Sequence, residues 1–471
     1  MRICLPALLA SAFALLFPAA ALAHGAEGGI VLLLPTGYYI LGAAATVAVT
    51  FLLMSALPDR LALGLHRRTL AIGRVRLPSA VGPSLLSAGV LMLMIAAGFF
   101  GSRDPLDNPL PAFVWTVWWV CLLIAHGLFG PLWTALNPWT GPAAVIGWAS
   151  GGRLGVRPLA RLPEGIGYGI AILQFYGFAW FELVDLSPSD PGRLAAVVLA
   201  YWLANLAGRL VYGEDWMRRA EPFGILFGLI GRLAPLAVVR AKDGRHDVGM
   251  VWPGKRLFDL PPLPVSGVLF VLLALSTVSF DGLSRTFAWL SAVGVNPLEF
   301  PGRSAVVLSS SAGILLVFAA FAALFFGSVA LGGLMAGERR IGLLAGRLVV
   351  SIVPIAVVFQ FAHYLTLVLV EGQNFLKAVS DPFGRGWDLF GTADLHVTTS
   401  FLADFDRVET IYNAQTAAII IGHVLAVVLA HALLVDMRRD GRGAFRLELP
   451  FAALMVFYTA FGLWLLSTPR I

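Results

Sequence analysis

The feature that most limits what this chain can fold into is its repetition of long apolar runs. Ten windows, near 35–57, 80–102, 112–137, 165–184, 194–212, 264–282, 304–334, 346–371, 411–434 and 449–467, are apolar almost throughout. Each is long enough to cross the ~30 Å hydrocarbon core of a bilayer as a helix. Only 13% of the residues are Asp, Glu, Lys or Arg, about half the usual share in a soluble domain. A soluble fold would leave much of that apolar surface in water. The expected fold is all-α: a polytopic integral membrane protein of about ten transmembrane helices.

Residues 1–23 read as a secretory signal peptide. Arg2 precedes an apolar run over 3–17, then Pro18 and the small-residue sequence Ala21-Leu22-Ala23, an A-x-A cleavage pattern. Cleavage there leaves His24 as the first mature residue. Its free amine and imidazole together could chelate Cu(II); otherwise it is an exposed polar residue. Residues 24–471 are then one membrane domain.

With residue 24 outside, the connections around 58–79, 138–163, 213–263, 335–347 and 435–448 are cytoplasmic. They hold 23 of the 33 Lys and Arg, against eight on the opposite side. This asymmetry predicts an orientation with the mature N-terminus and the C-terminus both external. The net charge of +6 is spread over short loops, which argues against nucleic acid as a partner. Cys4 lies in the signal and Cys121 in a span, so no internal disulfide and no Cys metal motif is expected.

Residues 223–239 are apolar but short, interrupted by Arg232 and Pro235 and flanked by Arg218, Arg219, Arg240 and Lys242. Basic flanks at both ends predict an interfacial or re-entrant helix within the cytoplasmic segment 213–263. A full span there would flip every later loop. Two external connections are long: 284–302 and 372–410. The second carries Asp381, Asp388, Asp394, His396, Asp404 and Asp406, which suits either a binding loop or plain solvation.

Ionisable residues inside spans are expensive and so are candidates for function. Trp115, Trp119, His126 and Trp133 fall within about 40° on an ideal helix. Gln174, Glu182 and Asp185 share one arc of the fourth span. Gln360, His363, Tyr364 and Glu371 share a face of the eighth, and Asn413, Thr416, His423 and His431 one of the ninth. His126, His363 and His423 lie at mid-depth, beneath Glu182, Asp185, Asp281 and Glu371 nearer the outer boundary. Such a set could form one pocket open to the outside and hold Zn²⁺, Cu²⁺ or non-haem iron. Alternatively each His donates to a backbone carbonyl. His431, near the inner end of its span, is expected to meet water. His66 and His246, in basic loops, carry no signal.

Several phrases together resemble a bacterial family. They are Leu136-Asn137-Pro138-Trp139, Glu221-Pro222-Phe223-Gly224 with Leu226-Phe227-Gly228, Ser276-Thr277-Val278-Ser279-Phe280-Asp281-Gly282, Ala362-His363-Tyr364-Leu365 through Glu371-Gly372-Gln373, and the loop 381–392. The chain is similar, over most of its length from residue 24, to polytopic membrane proteins named after fenitrothion hydrolase. That resemblance implies cleavage of the P–O aryl ester bond of an apolar organophosphorus triester, a small substrate that would partition into the bilayer. On this expectation His126, His363 and His423, with His24 a further candidate, would hold a divalent metal whose bound water is the nucleophile. Asp281 or Glu182 would be the fourth ligand or general base, Tyr364 would donate to the developing oxyanion, and Glu371 completes the acidic set. Two other readings stay open: a haem- or copper-handling redox protein, for which His126 and His423 are the axial pair, and a transporter or assembly factor whose eighth span is broken at Gly346 and Pro354. A second subunit or a homo-oligomer is compatible with each.

Overall fold

Long apolar runs have no partner for their backbone polar groups in hydrocarbon, so they close them internally as helices. The computed structural model describes residues 30–155, 158–241, 243–299, 302–437 and 443–468. The main helices are α1 (Thr36–Ala56), α2 (Val81–Phe100), α3 (Pro109–Phe129), α4 (Gly169–Leu183), α5 (Pro191–Tyr212), α6 (Pro222–Ile230), α7 (Val265–Ser284), α8 (Arg303–Ala336), α9 (Ile341–Ala378), α10 (Phe405–Met437) and α11 (Ala444–Ser467). Among the described residues nine helices are long and apolar enough to cross a membrane, and the 15-residue α4 is apolar but shorter. Each of the ten apolar windows coincides with one of these helices.

Burial divides the helices into a centre and a rim. The apolar stretch of α7 is 83% buried, and those of α9 and α10 are each 72% buried, whereas that of α8 is 17% and of α1 22%. The rim helices expose leucines such as Leu41, Leu52, Leu86, Leu308 and Leu316. A helix rim of that kind is stable only against lipid, so this is a multi-pass membrane architecture.

Two expectations are corrected here. First, the fold is mostly helical but not all-α. Strands β1 (Thr69–Val75), β2 (Leu236–Arg240) and β3 (His246–Val251) form an antiparallel sheet in the order β1-β3-β2. The β2–β3 turn uses Asp243-Gly244: Gly244 has φ 79°, and Arg245 N–H donates to Asp243 Oδ1 at 3.0 Å. Asp-Gly between two apolar runs is a hairpin signal, so the segment 223–239 is not one helix. It is helical to Ile230 and extended from Leu236. Second, α3 is shorter than its apolar window. It stops at Phe129 because Gly130 takes φ 103° and Pro131 follows; Trp133–Leu136 is a separate turn.

The connections at each end of the bundle hold one another. The sheet joins loop 58–79 to loop 213–263. Arg219 donates to the carbonyl of Leu162 at 2.8 Å, Leu263 N–H donates to the carbonyl of Gly346 at 3.0 Å, and Arg347 reaches Asp436 at 3.2 Å. At the other end Lys377 lies 3.3 Å from Asp107, and Arg303 donates to the carbonyls of Glu182 and Asp185 at 3.0 Å each. The loops thus sort into the same two sets that charge alone separates.

The approach of α9 to the segment leading into α7 needs Gly346, since a Cβ there would stand 2.1 Å from the carbonyl oxygen of Leu263. Gly346→Val is expected to destabilise the fold by about 1–3 kcal/mol. Its measure is the unfolding midpoint of the detergent-solubilised protein; an unchanged midpoint would contradict the close approach.

Candidate functional site

Five polar side chains meet where the ends of α4 and α7 pack against the middle of α9, on the side away from the sheet. Asp281 stands one turn before the end of α7, and Arg285 follows it by four residues, so the helix repeat stacks the two on one face. His363 and Tyr364 come from α9, and Glu182 from the last turn of α4. Asp281 is 2% exposed. Its Oδ2 receives His363 Nε2 at 2.7 Å and the Tyr364 hydroxyl at 2.9 Å, and its Oδ1 receives Arg285 at 3.1 Å. The Tyr364 hydroxyl also lies 3.2 Å from Glu182 Oε1. Tyr364 therefore bridges two carboxylates of different helices, and the Arg285 guanidinium, whose side chain is half exposed, connects the cluster to the surface.

A buried carboxylate survives only when its charge is matched and its lone pairs are filled. Three donors on Asp281 achieve both. Since the Asp281 oxygen accepts, His363 Nε2 carries the hydrogen, which puts the lone pair of the neutral ring on Nδ1. Arg303 secures the frame of the cluster by filling carbonyls at the C-terminal end of α4 that have no helical partner. Asp185, buried beside it, is held by Arg193 at 2.5 Å and by Ser187 N–H at 2.9 Å.

Of the expected site residues, Asp281, His363, Tyr364 and Glu182 converge. The others are placed elsewhere. His126 Nδ1 donates to the carbonyl of Leu122 at 2.6 Å, and its Nε2 accepts from Trp133 N–H at 2.8 Å. Both ring nitrogens are thereby engaged by backbone, and the ring stacks on Phe227 with centroids 4.6 Å apart. His126 fastens the break after α3, and in this arrangement it has no lone pair left for a metal or for a haem iron. His423 Nδ1 donates to the carbonyl of Ile419 at 2.8 Å. Glu371 accepts from Asn374 at 3.2 Å, with no bond to the cluster among the described residues. His24 and the signal segment lie outside the described residues. Among the described residues no group of three or more His, Cys, Asp or Glu is placed to hold a metal ion. The donor set expected for a shared metal is therefore not assembled among the described residues.

The ideal-helix face of Trp115, Trp119, His126 and Trp133 dissolves because residues Phe113–Leu122 are π-helical. Wider turns rotate side chains off the 100° repeat, and such turns often sit near functional sites. Trp119 packs edge-on against Phe178 with ring centroids 4.9 Å apart, while Trp118 packs against Phe223 with ring centroids 4.4 Å apart. Sequence reasoning missed Arg285 and Arg303. Arg285 was findable as the residue four beyond Asp281; nothing local marks Arg303.

In the external loop, acids bind backbone. Asp381 accepts from Arg385 N–H at 2.8 Å and Gly386 N–H at 2.6 Å, and Asp388 Oδ1 accepts from the Ser380 hydroxyl at 2.7 Å and Ala393 N–H at 3.0 Å. The Ser380 and Ala393 bonds hold the Asp388 carboxyl below its usual range. A depressed folded-state pKa gives a contribution that is complete above the ordinary value of about 3.9 and is lost as pH falls through the folded one. Loop cleavage by an acid-active protease should therefore rise as pH is lowered below ~4, and Asp388→Asn should show that rise at neutral pH. Equal cleavage of variant and parent would refute the role.

Compared with known protein families, curated proteins and solved structures, the chain has no match in any of the three.

Proposed function

We propose that the protein is a membrane-embedded hydrolase of apolar organophosphorus triesters, in which the Asp281–His363 pair activates water. The observation that carries this reading is the 2.7 Å contact of His363 Nε2 with a buried carboxylate, in a cluster that Arg285 connects to the surface. A carboxylate that fixes the tautomer and stabilises the imidazolium makes its histidine an effective general base. Water oxygen attacks phosphorus, its proton passes to His363 Nδ1, and the P–O aryl bond breaks to release an aryloxide. That leaving group needs little acid assistance. Arg285 is suited to neutralise the charge that develops on the phosphoryl oxygen or sulfur. The resemblance supplies the substrate class, and an apolar triester would reach the cluster through the bilayer.

The setting proposed with it is a bacterial inner membrane crossed ten times, with α6 re-entrant and the cluster external. Three features support that topology. The basic loops gather at one end, both ends of α6 join that set, and nine helical residues reach only ~14 Å. Glu221 caps α6 from within the protein, accepting from Phe223 N–H at 2.9 Å and Gly224 N–H at 2.6 Å and paired with the Tyr201 hydroxyl. A capped, buried N-terminus is what a helix folded back into a bundle requires.

The test is nitrophenol release from a nitrophenyl phosphorothioate triester by washed membranes with matched expression. His363→Ala is expected to lose about 10²–10⁴-fold in turnover. Asp281→Asn should fall substantially too, because the Asn side chain cannot fix the same tautomer. Glu182→Gln, which keeps a polar partner for Tyr364, should lose less. Turnover should survive a strong chelator; loss restored by one added divalent metal would favour the metal-dependent alternative instead. Full turnover in His363→Ala, or none in well-expressed parent, would overturn the assignment.

A further inference from the structure

A second buried ionisable pair stands at the opposite end of the bundle. His431 Nδ1 on α10 lies 2.7 Å from Glu448 Oε2 on α11, with the two residues 4% and 1% exposed. His431 does not meet water, as its position near the end of a span suggested, because α11 packs over it. Five residues further along α10, Asp436 is approached by Arg347 at 3.2 Å and by Arg67 at 3.7 Å.

Between this pair and the Asp281 cluster the bundle centre is not purely apolar. His423, two turns or ~12 Å along α10 from His431, is fully buried. Tyr458 on α11 has its ring 5.9 Å from His423, and its hydroxyl is 2.7 Å from that of Ser279, two residues before Asp281. Gln360 on α9 is 1% exposed, three residues before His363. Among the described residues His423 Nε2, His431 Nε2 and both amide atoms of Gln360 are buried without a hydrogen-bond partner. Each such atom costs about 1–3 kcal/mol, and in a membrane bundle polar side chains of this kind mark ion and proton routes.

We infer that Glu448, His431, His423, Gln360, and the Tyr458–Ser279 pair form a proton-transfer path from the Asp436 end of the bundle to the Asp281–His363 cluster. His431 takes a proton at one ring nitrogen and releases one from the other, His423, whose Nδ1–H is held by the Ile419 carbonyl, takes up and releases the proton at Nε2, and Gln360 holds the connecting water, so no bond other than N–H and O–H changes. On this path the ~12 Å interval between His423 and His431 would be crossed by water, which requires polar partners on both sides; the two Nε2 atoms supply them. At one end the path terminates among Asp436, Arg347 and Arg67. At the other it ends among Asp281, Glu182 and Arg285. The path does not depend on the hydrolase reading, since any chemistry at His363 that gains or loses a proton could draw on it.

The full chain is reconstituted in liposomes containing a pH-sensitive dye, and a potassium diffusion potential is imposed with valinomycin. Proton entry should exceed that of protein-free vesicles, and Glu448→Gln and His423→Phe should each lose the excess. Should Glu448→Gln fail to fold, His423→Phe decides, because its ring occupies similar space. Entry at the protein-free rate in the parent, or undiminished entry in folded variants, would overturn the path. Flux is read without substrate, so its failure and the failure of triester hydrolysis are separate results.

Discussion

The arrangement depends on a carboxylate buried inside the helix bundle. Asp281 lies on the most buried helix of the bundle, and an unpaired charge there would be prohibitively costly. Its neighbours remove that cost: His363 and Tyr364 come from α9 and Arg285 from its own helix, while Tyr364 extends the bonding to Glu182 on α4. Loss of one partner from such a buried set typically costs about 3–5 kcal/mol. The same bonds therefore define how the ends of α4 and α7 pack against the middle of α9 and leave a histidine oriented for proton transfer. Structure and reactivity share one cause here.

The two ends of the bundle solve different problems. At the basic end, arginines bind carbonyls and carboxylates of neighbouring loops, and a small sheet ties a connection early in the chain to one near its middle. Glu338, in the turn between α8 and α9, accepts from the main chain of Arg339 and Arg340 and from the Arg340 guanidinium at 3.0 Å. Those bonds, the Arg340 guanidinium first among them, hold its carboxyl down at about 2. At the opposite end, carboxylates of the long loop bind backbone N–H groups, so acidity serves loop shape. The centre between the ends carries the few polar side chains that neither task uses.

Much of this was legible in the sequence. Ten apolar windows of the right length coincide with ten helices because hydrocarbon leaves the backbone no alternative to internal bonding. Asp281, His363, Tyr364 and Glu182 were recognisable because an ionisable residue in an apolar run must be paired. The rest depended on geometry that local pattern does not encode. His126 shares the residue type and depth of His363, yet the positive-φ Gly130, four residues on, turns the chain so that Trp133 N–H meets its ring. The π-helical turns of α3 spoil the angular repeat from which a common tryptophan face was read. The sheet was missed because β1 and its partner β3 lie far apart in the chain, although the Asp243-Gly244 turn was visible. His431 was assigned to water because the helix that covers it is distant in sequence.

The central claim is that Asp281 and His363 act as one unit. The most direct measurement is a double-mutant cycle of Asp281→Asn and His363→Gln, read as unfolding free energy in detergent. The account predicts strong non-additivity, with a coupling of about 1–3 kcal/mol, the double variant being little worse than the weaker single. Additive losses would show that the two residues contribute independently and would contradict it.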